Sequence, residues 1–307
     1  MKTILVLTDF SLRARNAADY AMNIAIKNKA NVILCHVMEL TTPIPDNVDF
    51  RWPVPHHLVL KNECITDLKD LSKSLENCIP RNADFKPSIS FISEFGLLSQ
   101  VADKVIEEQS VDLVVIGSHK SNMVSRFFYG SHTHTLLNKL FCPVLLVPEN
   151  LRFLGLSDIA YATDLTFNNT RVINYLMEFA DPFKARIAVN HISLLEFPDK
   201  ASDQVIALAI NDQLGDKHPQ VFYYDIKGAK VKKGLLEVLG SRRVDILVLV
   251  HKRYEFFEGL LHSSISMQMA DDAKVPLLVL PFSYSIDIAD ISDEQLDNFC
   301  YQTGDKR

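Results

Sequence analysis

The residues best suited to hold an anion stand where one apolar run ends and one helical pattern starts. Val115-Ile116-Gly117-Ser118-His119 closes the run, and Gly130-Ser131 precedes a helical pattern carried by Leu136, Leu137 and Leu140. A glycine leaving a strand lets backbone amides approach a phosphate closely. A Gly-Ser pair opening a helix adds N–H groups, a hydroxyl and the positive end of the helix dipole. Asp9 ends the first apolar run and could accept from a ribose or adenine, and Val37 ends the second and offers main chain to a base. Lys120, in the loop between, could supply a counter-charge or fill the pocket. The candidate nucleotide-binding set is therefore Asp9, Val37, Gly117, Ser118, Lys120, Gly130 and Ser131.

Other constellations carry less. Ser118-His119 and Ser131-His132 pair a hydroxyl with a base, but no nucleophile elbow or third orienting carboxylate accompanies them, so no catalytic residue is assigned. His132 and His134 are two apart on a helical pattern and diverge. His56-His57 with Cys64 fits no zinc spacing, and no metal site is assigned. The carboxylate pairs Glu107-Glu108 and Asp271-Asp272 read as solvated helix faces, and the cations Lys120, Arg126 and Lys252-Arg253 cluster in the two loops, where solvation is the simplest account. His36 and His191 stand at equivalent strand ends, which favours a structural duty shared by both.

The elements that would position these residues are written twice. Ile4 to Asp9 matches Ile159 to Asp164, and Val32 to Val37 matches Ile187 to Ile192, both at an offset of 155. Asp112 to Ile116 matches Asp245 to Leu249, and Pro143 to Pro148 matches Pro276 to Pro281, both at 133. The difference of 22 is a net insertion in the first copy, visible at 41–57, where Pro43, Pro45, Pro53, Pro55 and the sole Trp52 fall. Four prolines there exclude a regular helix or central strand. The runs are apolar at nearly every position, as strands covered on both faces must be. Between them, Ser11 caps a pattern of Ala14, Ala17, Ala18, Ala21, Ile24 and Ala25, and Thr166 or Asn168 opens Val172, Tyr175, Leu176 and Phe179. Helices are also predicted over 58–78, 97–109, 201–214 and 231–240. Such alternation predicts an α/β fold of two Rossmann-like open parallel sheets with helices on both faces. The domains predicted are 1–148, 149–282 and an acidic tail over 283–307.

The 307 residues suit two cores of about 150 each. With 48% hydrophobic and 23% charged residues the chain is not a disordered one, and at net charge −6 it shows no basic footprint for nucleic acid. The apolar runs fall short of the roughly 20 residues that span a bilayer, so no membrane partner is expected. Five cysteines at irregular spacing suit a reducing compartment, and the cytoplasm is the expected location.

In these residues the chain resembles the universal stress protein family, in its tandem two-domain form. Val6 to Ser11, His36-Val37, Asp112 to His119, Ser125-Arg126, Gly130-Ser131 and Cys142 to Pro148 carry the resemblance, over roughly 1–148 and 155–281. It implies five-stranded Rossmann-like units pairing through their last strands as an internal pseudo-dimer, with a further homodimer conceivable. It also implies, for the nucleotide-binding branch, a loop of Gly, two residues, Gly, nine residues, Gly, then Ser or Thr around ATP phosphates. In the first copy Gly117 and Gly130-Ser131 match, and Lys120 replaces the middle glycine; in the second, Val250, Arg253 and Ser263-Ser264 stand at those places. The expectation is a non-enzymatic stress-response or regulatory protein with degenerate phosphate loops, acting by an unidentified protein partner or small ligand. The alternative is an ATP- or AMP-binding sensor through the first domain only.

Overall fold

A computed structural model describes residues 1–38, 55–118, 142–149, 151–163, 165, 170–194, 220–228, 231–251 and 275–285. The first half contributes β1 (Thr3–Leu7), α1 (Leu12–Asn28), β2 (Asn31–Met38), α2 (Pro55–Asn77), β3 (Ile89–Phe95), α3 (Leu98–Gln109), β4 (Leu113–Ser118) and β5 (Val144–Pro148). The second contributes β6 (Asp158–Thr163), α4 (Thr170–Ala180), β7 (Arg186–Leu194), β8 (Val221–Gly228), α5 (Val231–Ser241), β9 (Ile246–His251) and β10 (Leu277–Pro281).

The two expected five-stranded sheets are halves of one ten-stranded sheet, ordered β3-β2-β1-β4-β5-β10-β9-β6-β7-β8. Every ladder within a half is parallel, and the halves meet where β5 and β10 pair antiparallel. The last strands therefore join the units, as the resemblance implies. The apolar runs Leu113–Ser118 and Val144–Pro148 are buried at every position, because helices cover both faces.

The duplication extends to backbone details. Asp112 accepts from the amides of Lys2 and Thr3 at 2.5 and 2.9 Å, and Asp245 from those of Ser157 and Asp158 at 2.6 and 3.0 Å. Each carboxylate holds the start of the neighbouring strand in register. Phe10 and Leu165 both have left-handed φ, at 61° and 59°, and their amides reach back to Thr8 and Thr163 hydroxyls at 3.1 Å. Lys29 and Lys184, at φ 55° and 54°, end the first helical segment of each half. One core cluster then runs through both halves, from Val6, Ile24 and Leu68 to Ile159, Phe179 and Leu280. Tyr20 on α1 meets Phe153 edge-on at 4.9 Å across the linker between the halves.

One local reading is corrected. The 41–57 segment was expected to be irregular through His57, but Pro55 opens α2. Proline at a first helical position gives up an N–H that has no helical partner anyway, so it starts the helix instead of barring it. Residues 39–54, with Trp52, lie outside the described residues. So do the expected helix over 201–214, the helical pattern after Ser131 and the tail beyond Ser285.

Candidate functional site

The carboxyl ends of β1, β2 and β4 enclose a cleft of about 140 Å³, lined in part by Thr8, Asp9, Arg13, His36, Val37 and Gly117. Of the first-half candidates that the described residues include, Asp9, Val37 and Gly117 line this cleft, and Ser118, the last residue of β4, does not. Lys120, Gly130 and Ser131 lie outside the described residues.

Ser11 caps α1, its hydroxyl accepting from the Ala14 amide at 3.3 Å, and this turn brings Arg13 back over the strand end. The Arg13 guanidinium donates to Asp9 at 2.6 Å, and the Ser11 amide donates to the other carboxylate oxygen at 3.1 Å, joined there by the Ser11 hydroxyl. Partial burial alone would raise the Asp9 carboxyl. The Ser11 hydroxyl, the Arg13 guanidinium and the Ser11 amide outweigh it and hold the group below the usual carboxylate range. Asp9 is thus an ionised clamp on the helix start, with its acceptors already engaged.

Gly117 has a different reason to be glycine from the one its motif suggests. A Cβ there would stand 2.5 Å from the Arg13 carbonyl oxygen and 3.0 Å from the Ala14 amide nitrogen. The first turn of α1 lies directly against β4, so the missing side chain serves helix–strand packing. Val250 occupies the equivalent position of the second half. Ser118 is 2% exposed, and its hydroxyl has no hydrogen-bond partner among the described residues. Such a group costs about 1–3 kcal/mol when left unmatched, which makes it the feature of this edge that a ligand would relieve.

The histidines at the strand ends are structural. Nδ1 of His36 lies 2.7 Å from the Thr8 carbonyl and Nδ1 of His191 lies 3.1 Å from the Thr163 carbonyl, so each donates to the carboxyl end of the neighbouring parallel strand. Cys64, weighed beside His56 and His57 for a metal, is buried and accepts a hydrogen bond from Ser93 at 3.1 Å. No group of three or more metal-ligating side chains occurs among the described residues.

An adenine nucleotide fits this edge only in part. The cleft formed by the described residues is smaller than the roughly 300–1,000 Å³ usual for small-molecule sites, and Asp9 has given its oxygens to Ser11 and Arg13. If a nucleotide enters, the main chain of Val37 is the group of the candidate set left to meet it in the cleft.

What the sequence reading missed lies in the second half, under α5. There the sheet is floored by Ala160, Ala188 and Asn190, where the first half has Leu5, Ile33 and Cys35, and a cavity of about 390 Å³ opens. The offset of 155 that revealed the duplication also aligns these pairs, so comparing side-chain sizes across the two copies would have shown the loss.

Three comparisons bear on kinship. The universal stress protein family model matches residues 1–148. Universal stress protein A homolog 1 of Coxiella burnetii is 25% identical over 148 residues, 48% of this chain and 95% of that one. A universal stress protein of Archaeoglobus fulgidus superposes with a TM-score of 0.67 at 14% identity, covering 91% of this chain and 98% of its own. A putative universal stress protein of Pseudomonas aeruginosa gives 0.54 at 16% identity, covering 92% and 93%. The last two show the fold alone, but over nearly the full chain. The chain is therefore similar to the universal stress protein family over residues 1–148, and the fold seen in solved universal stress proteins continues through its second half.

Proposed function

We propose that the chain is a non-catalytic regulatory protein of the universal stress type, acting in stress response by binding a small ligand or protein partner. Its units are 1–148 and 149–282, followed by the 283–307 tail, and together they form an internal pseudo-dimer. The observation that carries this is the state of the first-half strand edge. Asp9 is closed on Arg13 and Ser11, and Gly117 is taken up by contact with α1. The second half puts Val250 where Gly117 stands. A cytoplasmic location accords with Cys35, Cys64 and Cys142, buried and unpaired with one another. No helix of the described residues is long and apolar enough to cross a membrane.

The second reading, ATP or AMP held by the first half, draws support from the unmatched Ser118 hydroxyl and the position of the cleft beyond the strand ends. One experiment separates the two. Protein purified without added nucleotide is denatured, and the supernatant is assayed by absorbance and mass for adenine. The expected result is less than stoichiometric nucleotide; a one-to-one content would establish the sensor instead. Thermal unfolding with ATP and magnesium gives a second readout, since a ligand at about 100 times its dissociation constant adds roughly 2.7 kcal/mol. Little shift is expected for the wild type, and a gain for Lys120→Gly would identify that lysine as the obstacle.

A further inference from the structure

In the first half the sheet face beneath α3 is filled. Leu5 on β1 and Ile33 on β2 are neighbours in the ladder, and Leu7 stands beside Cys35 one row along. All four are buried and pack with Val105 of α3 in a closed cluster. In the second half the same rows read Ala160 beside Ala188, and Ala162 beside Asn190. Val238 of α5, at the place of Val105, is as buried as its counterpart, so the helix still covers the face while the bulk beneath it is gone. Meanwhile the edge strand gains size. Phe222, beside Ala188, and Tyr224, beside Asn190, stand where β3 has Ser90 and Ile92. The outcome is the cavity of about 390 Å³ at the amino ends of β6, β7 and β8.

Its lining is chemically specific. Asn190, 1% exposed, spends an amide N–H on the Ala188 carbonyl at 2.7 Å, and its Oδ1 has no partner among the described residues. Three arginines line the cavity. Arg186 pairs with Asp158 at 2.6 Å and Arg243 with Asp245 at 3.3 Å, so their charges are met. Arg242 instead lies over the Tyr224 ring at 3.7 Å, with no carboxylate partner among the described residues. Stacking fixes the guanidinium plane while leaving its N–H groups to bond an anion.

We propose that this cavity is a binding site for a small flat organic anion. Its ring lies over the Ala160–Ala188 floor beside Phe222 and Tyr224, its carboxylate or phosphate meets Arg242, and a ring N–H or O–H reaches Asn190. The site deepens the ligand-binding role proposed for the chain, and it lies in the second half, among residues that the first-half nucleotide cleft does not share. Failure here therefore leaves the adenine assay unaffected.

Orotate, a planar carboxylate with ring N–H donors, is the probe, with benzoate as the donor-free control. Calorimetric titration of the full chain is expected to show saturable one-to-one binding of orotate, with benzoate at least about fivefold weaker for want of a donor to Asn190. Arg242→Gln, at an exposed position, should weaken orotate about tenfold or more, as loss of a charge-assisted contact does. Ala188→Ile, which restores the first-half residue, should abolish binding without lowering the thermal midpoint, whereas Arg13→Gln in the first half should leave binding unchanged. Absence of saturable orotate binding at millimolar concentration, or binding indifferent to both Arg242→Gln and Ala188→Ile, would overturn the site.

Discussion

Leu5 and Ala160 occupy the same place in the two halves, as do Ile33 and Ala188, yet one sheet face is packed solid and the other is open. The backbone supports beneath them are unchanged. Asp112 and Asp245 hold strand starts, His36 and His191 bond the neighbouring parallel strand, and a lysine in left-handed conformation closes each first helix. The difference has a physical origin. A buried backbone group without a partner costs about 1–3 kcal/mol and misdirects the chain, so each copy must answer the same demand in the same way. Side-chain volume is negotiable, because bulk removed from one row can reappear at the edge, as Phe222 and Tyr224 show. The halves therefore agree where the fold is at stake and part where a ligand could be served.

The largest test of that contrast makes the first half resemble the second. Leu5→Ala removes a side chain with no solvent exposure from a closed cluster, and chemical denaturation should show a loss of about 3–4 kcal/mol. The reciprocal Ala160→Leu fills existing space, so its unfolding free energy should fall by less than about 1 kcal/mol or rise. Equal losses in both directions would mean that the two faces are not differently packed.

Next in size is Gly117→Val, which copies the second half's Val250 into the first. Its Cβ would meet backbone atoms of Arg13, which cannot rotate away as a side chain can, so a loss of about 3 kcal/mol is expected in the same assay. Val250→Gly should cost less, since it creates no clash and removes only a partly buried side chain. Asp112→Ala and Asp245→Ala form the control pair. Each strips an acceptor from two strand-start amides, and each should cost about 2 kcal/mol, the halves responding alike.

Much of the fold could be read from the chain because its central strands are nearly all apolar and its anchors recur at two constant offsets. The edge strands were harder. Ile89–Phe95 is broken by Ser90, Ser93 and Glu94, and Val221–Gly228 by Asp225 and Lys227, so neither edge strand is apolar throughout as the central strands are. The site was legible in its location and not in its chemistry. Asp9 and Gly117 do sit at the strand ends, but one-dimensional spacing does not reveal that Arg13 folds back onto Asp9, or that α1 passes within reach of a Gly117 Cβ. Pro55 misled for a similar reason: a proline's effect depends on which turn of a helix it enters, and composition is silent on that.

The smallest effect tests whether the helix-start clamp belongs to the first half alone. Arg13 follows Asp9 by four residues, whereas Asn168 follows Asp164 at the same spacing, so the second copy has no cation at that place. The Asp9 carboxyl is held below its ordinary value of 3.8, so the ionised form is the one the folded state favours. Its contribution is present above that value and is lost as pH falls through the still lower folded value. Urea unfolding of wild type and Asp9→Asn should accordingly differ by a constant, modest amount from neutral pH down to about 4, with the gap closing below that. The pair made with Asp164→Asn should show a smaller gap and little change with acidification. A pH-dependent gap of equal size at both positions would show that the Ser and Asx geometry of the turn holds the carboxylate down unaided, and that Arg13 adds nothing the second half lacks.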